Sequence, residues 1–406
     1  MKMQTFANIQ DILKDVYTEV LVNQMPVKSP LWAIIKKKVV NVDGGKRVVI
    51  PVQLGFTEAV GARYAGNNAL PTAQANSYDQ AYIYMKRLYG RIKIEGLAVE
   101  ASKGKNAWID ALTAETKGVI NAFAIDIDRQ LMEDGRGIMG KVASVNGLVI
   151  TLAARRTGDV AAKWFRKNQV IDIYSDTGTL RVAGLKVTAV DMANGTITVD
   201  STPTGVTADD LIYKSGSYTP TTNTGELMGL DGVIGTGNTP GSDFQGIDAT
   251  AEPLWQAYVV GSVGVLSEEK IQNALDAIEV RTDGNKVDLG ILTYALRNKL
   301  ISLMQALRKV ETVDFTAGWR AIKYIGGDVE LPFLVHPKCP AGYIYLVSLP
   351  HIRLYVLKNL TWDTSNGGMI KSAEGYDEYY AWFKMYANLG TDCRNAHGKM
   401  TGVTTT

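Results

Sequence analysis

One stretch of the chain, residues 107–133, constrains the fold more than any other. It reads AWIDALTAETKGVINAFAIDIDRQLME. Its apolar residues recur at the three-to-four residue spacing of a helix with one buried stripe: Trp108, Leu112, Val119, Phe123, Ile127 and Leu131. Asn106 is a candidate N-cap, and Gly135 and Gly137 are stop signals. The pattern predicts a helix roughly 40 Å long at about 1.5 Å per residue, either an ordinary core helix or a spine along a sheet.

The composition indicates a globular protein and argues against several classes. Of the 406 residues, 46% are hydrophobic and 21% are charged, which fits a chain with one or more packed cores. A net charge of +2 argues against a protein that coats nucleic acid. No apolar run approaches the roughly 18 residues of a membrane span, and the N-terminus lacks the apolar core of a signal peptide. The two cysteines do not make a disulfide framework, so we expect folding in a reducing cytoplasm.

The first 95 residues predict two parts that need a partner surface. Residues 1–44 are expected to form an N-terminal arm, because Ile9, Ile12, Leu13, Val16 and Val20 make one apolar helical stripe. A second short helix over 31–38 ends in three lysines, which we expect to be solvated.

Residues 45–95 are expected to form an extended β-hairpin, with strands 47–54 and 81–95. The intervening residues have no periodic apolar face, and a loop this long is functional or mobile. Because a two-stranded arm buries little by itself, it implies a neighbouring domain or subunit.

The middle of the chain changes to short strands after a peripheral domain, residues 96–140, that contains the spine helix. Two Asn-Gly pairs, Asn146-Gly147 and Asn194-Gly195, each separate two short strands, which is a strong hairpin signal. Residues 141–215 are therefore expected to close five or six strands into a small inserted β-barrel. Barrels of this kind can bind oligonucleotides, but the aromatic platform for stacking is thin and consists of Trp164, Phe165, Tyr174 and Tyr213.

The remaining residues predict a linker and a second α/β region. Residues 216–250 have the composition of a linker belonging to the peripheral domain, and their glycine-rich stretch is interpreted as a surface loop. Residues 251–349 alternate helix and strand and are interpreted as a separate domain. Residues 350–406 are expected to be return strands, and the strand over 379–387 is bulky on both faces, which favours a central position in a sheet.

Catalytic motifs are scarce, and we assign no catalytic, cofactor-binding or metal site. The chain has no Gly-x-Ser-x-Gly elbow, phosphate-binding loop or His-Glu-x-x-His motif. His336 with Cys339, and Cys393 with His397, make a Cys₂His₂ zinc site chemically conceivable, although the spacing matches no known motif. Cys339 with His397 as a nucleophilic pair lacks an orienting third residue.

The order of these parts resembles the major capsid proteins of tailed double-stranded DNA bacteriophages, which have the Hong Kong 97-type fold. The resemblance covers nearly the whole chain except 141–215. In this interpretation 1–44 is similar to the N-terminal arm and 45–95 to the extended loop. Residues 107–133 resemble the spine helix of the peripheral domain, and 251–349 the axial domain. The fold expected is α+β, with the barrel placed like the insertion domains of some members.

The resemblance implies a structural protein without enzymatic activity. It would assemble with copies of itself into hexamers and pentamers of an icosahedral shell that encloses packaged DNA without sequence-specific binding, in a virion assembled in the host cytoplasm. A scaffolding protein, a portal and a decoration protein are possible partners. No long charged helical segment precedes the arm, so scaffolding is expected to be separate or unnecessary. Some members cross-link Lys to Asn, and Lys86 and Asn359 have the right types, but no such site is assigned.

Three alternatives stay open from the sequence. The first is the shell protein of a cellular nanocompartment, an encapsulin-like protein that shares the fold and encloses cargo enzymes. The second is a two-domain enzyme with an unrecognised site, which would need a cleft with perturbed acids or a metal. The third is an oligonucleotide-binding protein centred on 141–215, whose binding would depend on salt.

Overall fold

The computed structural model describes most of the chain after the N-terminal arm. The described residues are 29–57, 59–63, 70–97, 111–156, 158–218, 225–237, 243–306, 311–315, 319–326, 329–364, 371–372 and 375–405. The predictions for the arm helix in 1–28 and for residues 107–110 of the spine lie outside these ranges.

The described residues form helices and strands in an α+β arrangement, as predicted. The helices are α1 (Pro30–Ile35), α2 (Ala111–Gln130), α3 (Leu230–Val233), α4 (Glu268–Thr282) and α5 (Tyr294–Ala306). The strands are β1 (Val39–Asn41), β2 (Val48–Gly55), β3 (Ser77–Ile83), β4 (Lys86–Glu95), β5 (Ile138–Asn146), β6 (Val149–Ala153), β7 (Val170–Tyr174), β8 (Leu180–Asp191), β9 (Thr196–Val199), β10 (Leu211–Lys214), β11 (Tyr258–Val260), β12 (Gly264–Val265), β13 (Leu289–Leu292), β14 (Glu311–Phe315), β15 (Trp319–Gly326), β16 (Val329–Val335), β17 (Ile344–Val347), β18 (Ile352–Trp362), β19 (Lys371–Ser372), β20 (Glu378–Thr391), β21 (Gly398–Met400) and β22 (Val403–Thr404).

The chain divides into two compact units. Among the described residues, the smaller unit comprises 89–97, 111–125 and parts of 360–384, and the larger unit comprises the described parts of 29–88, 126–359 and 385–405. Strand β20 pairs with β18, β19 and β4, so the central position predicted for it is confirmed.

Within the smaller unit, helix α2 packs on one face of the strands. Ile92 and Ile94 of β4 are buried together with Val119 of the helix, and the rings of Phe123 and Phe383 meet edge to face at 5.0 Å. Burial of one apolar stripe against a sheet is what the helical spacing predicted.

Gly90 gives a test of this packing. A Cβ at Gly90 would lie 2.1 Å from the Phe383 ring, far inside van der Waals contact. We expect Gly90→Ala to lower the free energy of unfolding by about 1–3 kcal/mol, because the ring must shift out of its packed position. Chemical denaturation measures this change. Gly118→Ala is the matched control, since a Cβ there meets nothing within 4 Å, and equal losses in the two variants would contradict the packing.

The spine helix ends at Gln130, three residues before the predicted end. Residues 131–134 turn away, and Gly135 and Gly137 follow with φ of +81° and +82°. The early end has a packing cause. A Cβ at Gly229 would lie 2.2 Å from the carbonyl oxygens of Gln130 and Glu133, so another segment approaches the backbone at this point.

The predicted barrel is present and closed. Its strands follow the order β10-β5-β6-β9-β8-β7, and it starts at Ile138 instead of residue 141. The core is filled by apolar side chains including Ile150, Ile173 and Ile197. Residues 180–191 form one long strand, β8, whose pairing with β7 and β9 shifts at three bulges. Gly184, with φ of +75°, lies at one of these bulges, where an isolated glycine inside a strand is common.

A seven-stranded sheet forms the core of the region over 251–349. Its order is β11-β21-β17-β13-β16-β15-β14, so residues 398–400 complete it from the end of the chain. Helices α4 and α5 contribute Ile271, Ile278, Leu296 and Leu300 to one buried cluster with this sheet. The sequence predicted the alternation and return strands within 350–406, but not the place of β21 between β11 and β17 in this sheet.

One further prediction is wrong. The return strand expected over 81–95 is two strands, because β3 pairs with β2 whereas β4 pairs with β20. The stretch 216–250, predicted as a linker of the peripheral domain, contains buried apolar residues, since Leu227, Leu230 and Ile234 have at most 1% exposure. These residues anchor the segment in the core.

Buried ion pairs join the barrel to the rest of the larger unit. Arg156 donates to both carboxylate oxygens of Glu133 at 3.2 Å and to Asp231 at 2.9 Å. Arg155 pairs with the same Glu133 at 2.9 Å, and Lys399 of β21 pairs with Asp231 at 2.9 Å. Glu133 has 1% exposure. The barrel is therefore held at its base by charges from three separate parts of the chain.

The network predicts a stability change in acid. Burial alone would raise the pKa of the Asp231 carboxyl, but Lys399 and Arg156 outweigh it and lower the pKa to about 2. A carboxyl with a depressed folded pKa contributes stability above its unfolded pKa and loses it as the pH falls through the folded value. We therefore expect the free energy of unfolding to fall by about 2 kcal/mol through this group between about pH 4 and pH 2. Chemical denaturation at a series of pH values measures this change. The free energy of unfolding should fall less steeply with decreasing pH in Asp231→Asn than in wild type, and equal slopes would contradict the role assigned to Asp231.

Candidate assembly surface

Strands β2 and β3 form a ribbon that no third strand joins among the described residues. The pairing runs from Val48 opposite Ile83 to Gly55 opposite Ser77. Alternate residues of β2 are exposed, and the first four residues of β3 are all exposed. A two-stranded ribbon has too few contacts to be stable alone, so its stability depends on its root and on whatever covers it.

The root of the ribbon is fixed in the larger unit. Ala81 and Ile83 are buried, and the Tyr82 amide donates to the carbonyl oxygen of Gln245 at 2.5 Å. The Arg47 guanidinium lies 3.5 Å from the centre of the Tyr82 ring. Gly390 is required here, because a Cβ would lie 2.2 Å from the Ile83 side chain. These contacts orient the ribbon as it leaves the core.

Asn388 of β20 provides a second anchor. Its amide nitrogen donates to the Tyr84 carbonyl at 2.8 Å, and its oxygen accepts from the Met228 amide at 2.9 Å. One buried side chain thus links the strand end of the ribbon to the segment over 225–237. Loss of such a link leaves buried backbone groups unpaired, which is costly.

The tip of the ribbon is apolar and open to solvent. Phe56, Val60 and Leu70 are 83%, 79% and 86% exposed. Thr57 ties the two sides of the loop together, since its amide donates to Asn76 and its hydroxyl to the Gln74 carbonyl, both at 2.9 Å. The loop is therefore tied across its base, with its large apolar side chains directed outward.

This arrangement suits the binding of an apolar surface. Among the described residues of the ribbon, 48–57, 59–63 and 70–83, only Arg63 and Asp79 are charged. Burying an exposed Phe or Leu side chain contributes about 1.5–3 kcal/mol, so three such side chains on one ribbon can stabilise an interface. Sequence analysis found the long loop but did not single out Phe56 or Leu70. The signal that could have identified them is the presence of large apolar residues within a stretch rich in Gly, Ala and Asn.

The residues considered for zinc are engaged in other bonds. His336 bonds Asp128 through Nε2 at 2.9 Å, and His397 accepts from the Ser348 amide at 3.2 Å. Within the described ranges, no group of three or more His, Cys, Asp or Glu side chains is arranged to hold a metal ion. Burial raises the pKa of the Cys339 thiol far above its usual range and also raises that of Cys393. Zinc binds thiolates, so these thiols fit it poorly.

The nucleophilic pair and the stacking platform also lack support. Burial lowers the pKa of His397 to about 3, so it is neutral and bonded, and its partner Cys339 is a buried thiol. In the barrel, Trp164 and Phe165 belong to the core and Tyr213 is 4% exposed. The ring of Tyr174 stacks on Tyr218 at 4.0 Å. The aromatic residues thus pack on one another instead of offering faces to bases.

None of the described helices is both long and apolar enough to cross a membrane.

Comparison with known proteins identifies the fold. No protein-family model and no curated protein sequence matches the chain. Solved structures do match over its full length, and they show that the chain has the Hong Kong 97-type capsid fold that its order of parts predicted.

Among these structures, the capsid asymmetric unit of cyanophage A-1(L) is similar with a TM-score of 0.62 and 14% identity, covering 99% of this chain and all of that one. The capsid of a native GTA particle has a TM-score of 0.52 and 10% identity, covering 99% of this chain and all of that one. The holo-SrpI encapsulin of Synechococcus elongatus PCC 7942 has a TM-score of 0.49 and 9% identity, covering 100% of this chain and 98% of that one.

Proposed function

We propose that this protein is the major capsid protein of a tailed-bacteriophage-type particle. Its copies would assemble into hexamers and pentamers of an icosahedral shell that encloses double-stranded DNA, located in the virion after assembly in the host cytoplasm. The observation that carries the proposal is the ribbon with the apolar tip, Phe56, Val60 and Leu70, on a chain with a capsid fold. A shell protein has a use for such a ribbon, because a neighbouring copy buries what the monomer exposes.

The parts of the chain take roles in this proposal. Residues 1–44 serve as the N-terminal arm and 45–95 as the extended loop on a neighbouring copy. Residues 96–140 and 216–250 form the peripheral domain, 251–349 form the axial domain, and 350–406 return through both. The barrel over 141–215 is an insertion, and its buried ion pairs hold it in a fixed position. Scaffolding, portal and decoration proteins are the partners that such a shell would take.

Particle size tests the proposal directly. The purified protein is expected to give closed shells of tens of nanometres, or rings of five and six copies, by light scattering and negative-stain imaging. A monodisperse monomer of 44.1 kDa that forms no rings, even with a scaffolding partner, would overturn the proposal. Nuclease-protected DNA in particles isolated from the producing cell would support the proposal of a phage capsid. Particles that hold a defined protein cargo and no DNA would instead indicate a nanocompartment shell.

A further inference from the structure

A cluster of cations lies beside the base of the barrel in the larger unit. Residues 163–166 come between β6 and β7, and Lys338 lies in the turn that follows β16. Trp164 is buried, and the amines of Lys163 and Lys338 lie 4.7 and 5.5 Å from the centre of its indole ring. A cysteine and a histidine shape the turn, since the Lys338 amide donates to His336 Nδ1 and the Cys339 amide to the His336 carbonyl.

The acidic groups near this cluster are already bonded elsewhere. Asp159 pairs with Lys163 at 2.6 Å and also accepts from the Ala341 amide. Asp128 accepts from His336 and from the Ser29 hydroxyl. Asp126 pairs with Arg129 and Lys214.

Two cations are left without a bonded carboxylate. Among the residues that the structure describes, no acid lies within ion-pair distance of the Arg166 guanidinium or the Lys338 amine, and both side chains are half-buried. Burial lowers the pKa of Arg166. Burial and the charge of Arg166 lower the pKa of Lys338 to about 8, although Asp128 opposes this shift. Half-buried cations without a counter-ion gain free energy when an anion arrives.

We propose that Arg166 and Lys338 form a binding site for a phosphate group. The guanidinium presents paired N–H donors that match two oxygens of a tetrahedral anion, and the amine adds a third donor. The Lys338 amine lies 5.5 Å from the centre of the Trp164 ring. The bound phosphate would link the base of the barrel to the turn after β16. It comes from free phosphate or from the backbone of nucleic acid, which present the same chemistry.

Titration of the full-length protein with inorganic phosphate, in a chloride buffer of low ionic strength, tests the site. Wild type is expected to bind one phosphate per chain in isothermal titration calorimetry. Arg166→Met and Lys338→Met are expected to bind about tenfold more weakly, because each loses a charge-assisted hydrogen bond. At position 338, methionine keeps an apolar stem beside Trp164. Arg166→Lys and Lys338→Arg keep the charge and should retain most of the binding.

A second measurement does not depend on calorimetry. Bound phosphate should slow the acetylation of Lys338 severalfold, measured by peptide mass spectrometry. Lys167→Met is the matched control, because Lys167 is adjacent, exposed and outside the site. No saturable binding by wild type would overturn the proposal, and so would equal weakening in Lys167→Met and Lys338→Met. A short DNA duplex that displaces phosphate identifies nucleic acid as the source, and a duplex without effect identifies free phosphate.

Discussion

Replacement of both Phe56 and Leu70 by serine is expected to abolish shell assembly while the chain stays folded. The two side chains are 83% and 86% exposed, so their loss changes the stability of the isolated chain by no more than about 0.5 kcal/mol. In a shell each would be buried against a neighbouring copy and contribute about 1.5–3 kcal/mol. The combined loss corresponds to a rise of about a hundredfold or more in the concentration needed to assemble. Light scattering against protein concentration measures this shift.

Met192→Ser is the control for the tip variant. Met192 is 50% exposed in a turn of the barrel, away from the ribbon, and we expect its replacement to leave assembly unchanged. Circular dichroism and the thermal midpoint establish that each variant is folded. If the Phe56/Leu70 variant assembled at the concentration that suffices for wild type, the tip would not be a contact between copies. That result would leave the fold intact and remove the observation on which the proposed function rests.

Replacement of Glu133 by glutamine is expected to cause the largest loss of stability. Glu133 is 1% exposed and accepts from both Arg155 and Arg156. Without the Glu133 charge, Arg155 and Arg156 keep only Asp231 as an anionic partner, and of these two arginines Asp231 pairs only with Arg156. The new glutamine also directs an amide N–H donor toward these two cations. Removal of one partner from a buried ion pair costs about 3–5 kcal/mol. Urea denaturation followed by fluorescence gives the change in the free energy of unfolding.

Asp209→Asn is the matched control for this variant. Asp209 pairs with Lys141 on the same barrel at 2.7 Å, but its side chain is 73% exposed. An exposed pair contributes little, so the loss should stay below about 1 kcal/mol. Asparagine also tolerates the positive φ of 71° at this position. Similar losses in the two variants would show that the buried network contributes no more than a surface ion pair.

The sequence predicted those parts of the fold that depend on local patterns. The apolar spacing of the spine gave a helix, since each turn places the next apolar residue on the same face. The Asn-Gly pairs gave the hairpins of the barrel, because Gly147 and Gly195 adopt the positive φ that such turns need. Alternating bulky residues over 379–387 gave a central strand. The order of these parts was enough to indicate the α+β capsid fold.

The tertiary structure decided where the spine helix ends and which strands pair, because local sequence patterns do not encode these features. The end of the spine at Gln130 depends on the approach of Gly229, which is distant in sequence. The split of 81–95 into β3 and β4 depends on which strands are available as partners.

The same holds for the charges and for the ribbon. Glu133, Arg156 and Asp231 are ordinary charged residues in the sequence, and only the packed chain brings them together and removes water from around them. Sequence determined which segments become helix or strand, because periodicity and turn chemistry act over a few residues. Pairing, burial and the exposure of Phe56 and Leu70 were decided by the tertiary structure, because they depend on contacts between segments far apart in the chain.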